Sequence, residues 1–180
     1  MVRQLVERIR KKDPGAMSQL YQMYVGELSS VCYRYVPNEN DARDVLQNSF
    51  VKIFTSMATV EYHNEPLFRG WLKRVVINEA LVYLRERRKL QFTELHEADV
   101  QLVPDEEPDP ELITADQLHK LISELPDGYR TVVNLYVFED YSHRQIAELL
   151  GITESTSASQ LYYAKRLLAK KIKEILNYRR

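Results

Sequence analysis

The chain has 180 residues, of which 44% are hydrophobic and 28% charged, with a formal net charge of −1 and a single cysteine. That length allows one domain or two small ones with a buried core. The lone Cys32 excludes an internal disulfide and a Cys-based zinc site, and suits a reducing cytoplasm. No run approaches the roughly eighteen apolar residues of a membrane helix, and the first residues lack the apolar stretch of a signal peptide, so neither is expected. Only five glycines, set among long periodic runs, predict a nearly all-α protein.

Charge is segregated along the chain. Between Arg69 and Lys89 seven cations stand against Glu79 and Glu86, and from Thr153 to Arg180 seven more stand against Glu154 and Glu174. Leu90–Glu111 carries eight carboxylates and no Lys or Arg. Two basic lobes joined by an acidic strap are compatible with nucleic-acid binding, which the net charge conceals.

Val2–Lys12 reads as a short amphipathic helix. Asp13-Pro14 supplies an N-cap and a first-turn proline for a helix through about Tyr35, with Tyr21, Tyr24, Leu28, Val31 and Cys32 on one side. Pro37-Asn38-Glu39-Asn40 reads as a turn. The next helix carries Val45, Leu46, Ser49, Phe50, Ile53, Phe54 and Met57 on a core stripe. Its other side presents Asp44, Gln47, Asn48 and Val51, either a docking surface or a solvated face. Glu61–Leu67 reads as a polar loop broken by Pro66. The helix that follows, through about Lys89, is apolar over most of its circumference and should sit centrally. Trp71, Arg74, Asn78 and Arg85 fall on one line of it. Rings that stack on bases, interleaved with cations that track phosphates, suit an unpaired strand; a core role for Trp71 is the competing reading. Arg85, Arg87, Arg88 and Lys89 make a basic end, for phosphate or for solvent.

Gln91–Pro110, with Pro104, Pro108 and Pro110 among dense carboxylates, reads as an extended linker and marks the domain boundary. Helix resumes over Glu111–Leu125 and stops at Pro126. Tyr129, Val132, Val133, Tyr136 and Val137 predict the next. Ser142 and Gln145 then form a capping box ahead of Ile146, Leu149 and Leu150. Gly151 ends that short helix, where a left-handed backbone is tolerated best. Thr153 caps a second helix with apolar Leu161, Ala164, Leu168, Ile172 and Ile175. The spacing is that of a helix-turn-helix, whose second helix enters the major groove, or of an ordinary helical hairpin.

No catalytic constellation emerges. His63, His96, His119 and His143 are scattered, with no metal-ligand spacing. Glu106-Glu107 lies in the linker, where its ionisation would hardly be tuned. Neither an enzymatic activity nor a cofactor, metal or small-molecule substrate is expected.

Four stretches in order, DARDVLQNSFVKIF (41–54), FRGWLKRVVINEALVYLRERR (68–88), LPDGYRTVVNLYVFEDYSHRQIAELLGI (125–152) and TSASQLYYAKRLL (156–168), resemble bacterial sigma factors of the extracytoplasmic-function group. The resemblance implies two helical domains, region 2 over 1–90 and region 4 over 112–180, joined by a linker over 91–111. It implies that Asp44, Gln47, Asn48, Phe50 and Val51 dock on the beta-prime clamp of core RNA polymerase, and that the rear domain meets the beta flap. The family usually carries an acid where Asn48 stands. The loop Tyr62–Leu67, with Tyr62, His63 and Asn64, together with Asn78 resembles the part that captures a flipped −10 base. Lys73 and Arg74, with Trp71 and Arg85, would then hold the melted strand. Extruding a base costs a few kcal/mol, which pocket and stacking must offset.

For the −35 element the resemblance implies Arg144, Ser155, Thr156, Ser157, Ser159, Gln160, Tyr162 and Tyr163, with Lys165 and Arg166 on phosphates. Relatives often have basic residues at the Ala158 and Tyr163 positions and an apolar one at Ser157. Gln160 against adenine and the Ala158 methyl against thymine predict an A/T-leaning −35 preference. The connector in this group threads the RNA-exit path, so the linker acids, among them Asp105, Glu106, Glu107 and Asp109, could mimic RNA; a solubilising spacer is the alternative. An anti-sigma protein is a further expected partner, and the bacterial cytoplasm the expected location. Two other readings remain: a helix-turn-helix regulator that binds duplex without joining polymerase, and a helical adaptor with merely solubilising basic ends.

Overall fold

The structure, a computed structural model, describes residues 1–88 and 113–178, and among these there is no strand. The chain divides into two compact units, Met1–Lys89 and Leu90–Arg180. The acidic linker, Lys89 of the basic end, and the side chains of Arg87 and Arg88 lie outside the described residues.

The first unit is built around its fourth helix. α1 (Val2–Arg10) buries Val2, Leu5, Val6 and Ile9, the three-and-four spacing of a single face. α2 (Pro14–Tyr35) begins as its sequence predicts, with the Asp13 carboxylate accepting the Gly15 and Ala16 N–H groups at 2.9 and 3.2 Å and Pro14 at the first helical position. α3 (Glu39–Ser56) starts earlier than the expected Pro37–Asn40 turn allows, because Asn38 accepts the Asp41 N–H and caps the helix. α4 (Glu65–Arg88) likewise takes in Pro66. The Asn64 amide oxygen accepts the Leu67 N–H at 3.0 Å. Pro66 therefore falls in a first turn, where a missing N–H leaves nothing unpaired, and it opens the helix instead of breaking the loop. α4 packs against both α2 and α3. It buries Phe68, Leu72, Val76, Ile77, Ala80, Leu81 and Leu84, the broad apolar circumference expected of a central helix.

In the second unit α5 (Ala115–Ser123) starts at a capping box between Thr114 and Gln117, four residues after the expected Glu111. α6 (Asp127–Val133) runs directly into a π-helical turn over Asn134–Phe138. Here the expected apolar face fails. Tyr129, Val132 and Val133 are buried, but Tyr136 and Val137 are 39% and 56% exposed, and Asn134 and Leu135 are buried in their place. A wider turn shifts the register of every later side chain, so three-and-four spacing stops predicting the inner face. α7 (His143–Leu150) carries the Ser142–Gln145 capping box and ends at Gly151, whose φ of +70° is the left-handed conformation glycine adopts without strain. The Thr153 hydroxyl accepts the Thr156 N–H at 3.0 Å as α8 (Glu154–Tyr178) begins. α8 packs against both α6 and α7.

Candidate polymerase and nucleic-acid interfaces

α3 has two unlike sides. Val45, Ser49, Phe50, Ile53 and the following Met57 are buried, whereas Asp44, Gln47, Asn48 and Val51 are exposed. Phe50 requires a correction. It is 4% exposed, with its ring 4.6 Å from that of Tyr21 and 5.9 Å from that of Phe54, so it supports the helix from inside and cannot touch a docked partner. The exposed side continues into a cleft of about 310 Å³ between α3 and α4, where Val82, Tyr83 and Glu86 face Asp44, Gln47 and Asn48.

The second group gathers where α4 begins. Phe68 is buried and carries two neighbours: the Tyr62 ring at 5.7 Å and the Trp71 ring, stacked at 5.7 Å and 27°. Trp71 and Tyr62 are half-buried, so each offers an edge or a face to solvent. Asn64 is already engaged as the α4 cap, while His63 is exposed with its Nε2 3.8 Å from Glu61. Arg74, Asn78 and Arg85 are exposed along the helix, and Arg74 makes no ion pair among the described residues. Lys73 is held differently. Its Nζ lies 3.0 Å from Glu27 of α2, which also receives Arg69. Burial pushes the Glu27 carboxyl up, but hydrogen bonds from Lys73 and Arg69 outweigh it and hold the group below the ordinary carboxylate range.

Three residues at this site escape sequence reasoning. Arg10 reaches from α1 to the carbonyls of Met57 and Val60, at the start of the loop that holds Tyr62. Arg3 lies over the Tyr62 ring, 5.8 Å from its centroid. Glu27 is the third, and its only sequence signal is that it is the sole carboxylate of α2.

In the second unit Ser155, Ala158, Ser159, Tyr162 and Lys165 are exposed along the first turns of α8, with Thr156, Tyr163 and Arg166 half-buried. Tyr162 and Tyr163 meet edge-on at 5.4 Å, and the Arg166 guanidinium lies over the Tyr162 ring while donating to its hydroxyl at 3.2 Å. Arg144 is exposed on α7 beside Glu148. Ser157 and Gln160 are corrected: at 0% and 2% exposed they face the helix interface, not a groove. Ser157 Oγ shares a 2.9 Å hydrogen bond with His143 Nδ1, and the His143 ring stacks on Tyr136 at 4.7 Å. The adenine pairing expected of Gln160 therefore loses its basis; the Ala158 methyl remains exposed.

Among the described residues no group of three or more His, Cys, Asp or Glu could hold a metal, and no helix is long and apolar enough to cross a membrane. Cys32 is buried, and burial pushes its thiol up to about 12.

The geometry defines a class: a helical protein with an exposed amide-and-valine face, a cation-and-aromatic row, and a helix-turn-helix in a separate unit. Comparison with known proteins narrows it. Sigma-70 region 2 matches residues 20–90 and Sigma-70 region 4 matches residues 115–168. The ECF RNA polymerase sigma factor SigW of Bacillus subtilis is 23% identical, over 97% of this chain and 98% of its own length. The ECF RNA polymerase sigma-E factor of Haemophilus influenzae is 26% identical over 96% of this chain and 95% of its own. The fold is shared with CnrH, solved in complex with the cytosolic domain of CnrY, at a TM-score of 0.51, 20% identity and coverage of 96% of this chain and 97% of that one. It is also shared with RpoE of Bartonella quintana, solved with the anti-sigma factor NepR, at a TM-score of 0.52, 17% identity and coverage of 87% and 96%. The chain belongs to the sigma-70 family, in its extracytoplasmic-function group, and is an RNA polymerase sigma factor.

Proposed function

We propose that the chain joins core RNA polymerase through the exposed α3 side, with Asp44, Gln47, Asn48 and Val51 on the beta-prime clamp and the second unit on the beta flap, and directs the enzyme to promoters. α8 and Arg144 of α7 read a duplex −35 element: Ser155, Thr156, Ser159, Tyr162 and Tyr163 approach bases, and Lys165 and Arg166 hold phosphates. The Ala158 methyl leaves a thymine contact open. The start of α4 and the loop before it take the opened −10 element. Tyr62, His63, Trp71 and Asn78 receive bases, and Lys73, Arg74 and Arg85 track the strand. The chain performs no bond chemistry; polymerase supplies it. An anti-sigma protein is a partner in this reading, as NepR is for RpoE of Bartonella quintana, and the site of action is the cytoplasm where polymerase works.

The observation that carries this reading is that the two basic elements differ in kind. The row on α4 pairs half-buried rings with exposed cations, which suits unstacked bases. The helix-turn-helix instead offers short polar side chains on a helix, which suits a major groove. A regulator of intact duplex has no use for the first. Run-off transcription with core polymerase on genomic fragments tests it. Discrete start sites and heparin-resistant open complexes that require this chain are expected; duplex binding without polymerase recruitment overturns it.

A further inference from the structure

The cations assigned to the melted strand are not equally available. Arg74 is exposed and unpaired among the described residues, but Lys73 is tied down. Glu27 Oε1 sits 3.0 Å from Lys73 Nζ, and Glu27 Oε2 sits 2.8 and 3.2 Å from Arg69 Nη2 and Nε. Arg69 and Lys73 are four residues apart, so they share one side of α4. One carboxylate thus uses both its oxygens on two cations of the strand-binding helix. The side chains of all three remain partly open, at 26% for Glu27, 49% for Arg69 and 38% for Lys73. Solvent, and therefore a phosphate, can reach the cluster.

We propose that Glu27 is a built-in stand-in for phosphate: it occupies Lys73 and Arg69 until a DNA strand displaces it, and so sets how firmly unselected single strands are held. The proposal rests on the reading of Lys73 as a strand contact. A carboxylate and a phosphodiester are both oxyanions that take a fork from Arg and a point contact from Lys. Exchange therefore gives little net gain, since a pair is broken for each one made, and the displaced Glu27 then repels the incoming phosphate. A strand that is also held by base capture overcomes this. One held by its backbone alone does not. Glu27 lowers backbone affinity across all sequences, and the base contacts stand out against a weaker background.

The test uses the full chain assembled with core polymerase and two labelled single-stranded oligonucleotides, one with the −10 sequence found by transcription and one scrambled. Glu27→Gln should bind the scrambled strand roughly threefold to tenfold more tightly, the scale of two exposed ion pairs. Its salt dependence should steepen by about 0.7 in log–log slope for each cation released. The ratio between the two strands should fall. Glu39→Gln, which removes the same charge from a pair with Arg43, should do neither. Should Glu27→Gln fold poorly, Glu27→Gln with Arg69→Gln keeps a neutral hydrogen-bonding pair and still frees Lys73, so the scrambled strand should again bind more tightly than with Arg69→Gln alone. Wild-type or weaker binding by these variants overturns the proposal. Lys73→Met separates the two levels. If it weakens strand binding while Glu27→Gln changes nothing, the strand contact stands and the gate is wrong. If neither changes binding, the strand assignment itself is wrong.

Discussion

Phe50 and Val51 are adjacent on α3, yet substituting them should have opposite consequences. Phe50 is 4% exposed and packs between Tyr21 and Phe54; Val51 is 56% exposed. Phe50→Ala removes a buried ring and leaves a cavity, at about 3–5 kcal/mol. In a unit of this size each kcal/mol lowers Tm by about 4–8 °C, so the first unit should melt at least ~12 °C lower or fail to fold. Val51→Glu removes nothing buried and should alter stability by no more than about 0.5 kcal/mol. On the proposed docking face, however, it would replace an apolar contact by a charge, and a loss of about 1–2 kcal/mol there should weaken core polymerase binding roughly tenfold. Circular dichroism melting and competition against labelled wild-type chain for core polymerase measure the two effects separately. A Val51→Glu chain that melts normally and competes as well as wild type would refute the assignment of this side of α3. One that melts as low as Phe50→Ala would refute the division of the helix into two sides.

The same separation of support from contact generates the other expectations. Arg10→Ala removes the donor that ties α1 to the Met57 and Val60 carbonyls, so open-complex formation should fall more than −35 duplex binding. Arg10→Lys, a point charge in place of a fork, should restore it only in part; equal losses in both assays would argue against loop positioning. His143→Phe leaves the Ser157 hydroxyl buried without its partner and should cost the second unit about 1–3 kcal/mol, most of which His143→Phe with Ser157→Val should recover. Additive losses in that double variant would show that the pair is not coupled. The Asp13 carboxyl is held below its ordinary range by the hydrogen bond from Arg8 and by the Ala16 N–H. A depressed folded value stabilises above the unfolded one and stops doing so as pH falls through the folded one. Tm should therefore decline in acid below the ordinary carboxylate range, and less steeply in Asp13→Asn; identical acid limbs would contradict this. Cys32, with its thiol pushed up to about 12 by burial, should react with a thiol reagent at neutral pH only as fast as the first unit opens; immediate labelling would contradict it.

What could be read from the sequence was local. Asp13-Pro14, Ser142 with Gln145, Gly151 and Thr153 each bond within four residues of themselves, so the ends they set are visible as short motifs. The amide-and-valine side of α3 was also visible, because an exposed Val51 breaks the pattern of its own helix. Periodicity already sets Phe50 on the core stripe, where it lies buried; only the resemblance put it on the docking side, since a resemblance transfers positions without saying which way a side chain points. Ser157 and Gln160 failed for that reason. Arg10 and Glu27 failed for another: they act across 50 and 42 residues of chain, and a partner so distant leaves no periodicity behind. Pro66 misled because proline breaks a helix only past its first turn.

The π-helical turn ties these misses together in the second unit. With ordinary helical spacing Tyr136 would follow Val132 and Val133 inward, and the core would gain one more ring. The wider turn at Asn134–Phe138 puts Tyr136 outside, where its ring lies against His143 at the start of α7. His143 is thereby held between a ring on one side and the Ser157 hydroxyl of α8. Ser157 is fully buried and immediately precedes Ala158 and Ser159, the residues that face outward. A buried hydroxyl fixes its partner's direction as an apolar side chain cannot, because a rotation of α8 that an aliphatic contact would tolerate breaks a 2.9 Å bond and leaves a polar atom unpaired. In the proposed reading, the orientation in which α8 would meet DNA therefore depends on a register shift two elements earlier. Residues that never approach a base would in this way govern which bases the helix reads, if the proposed −35 role holds.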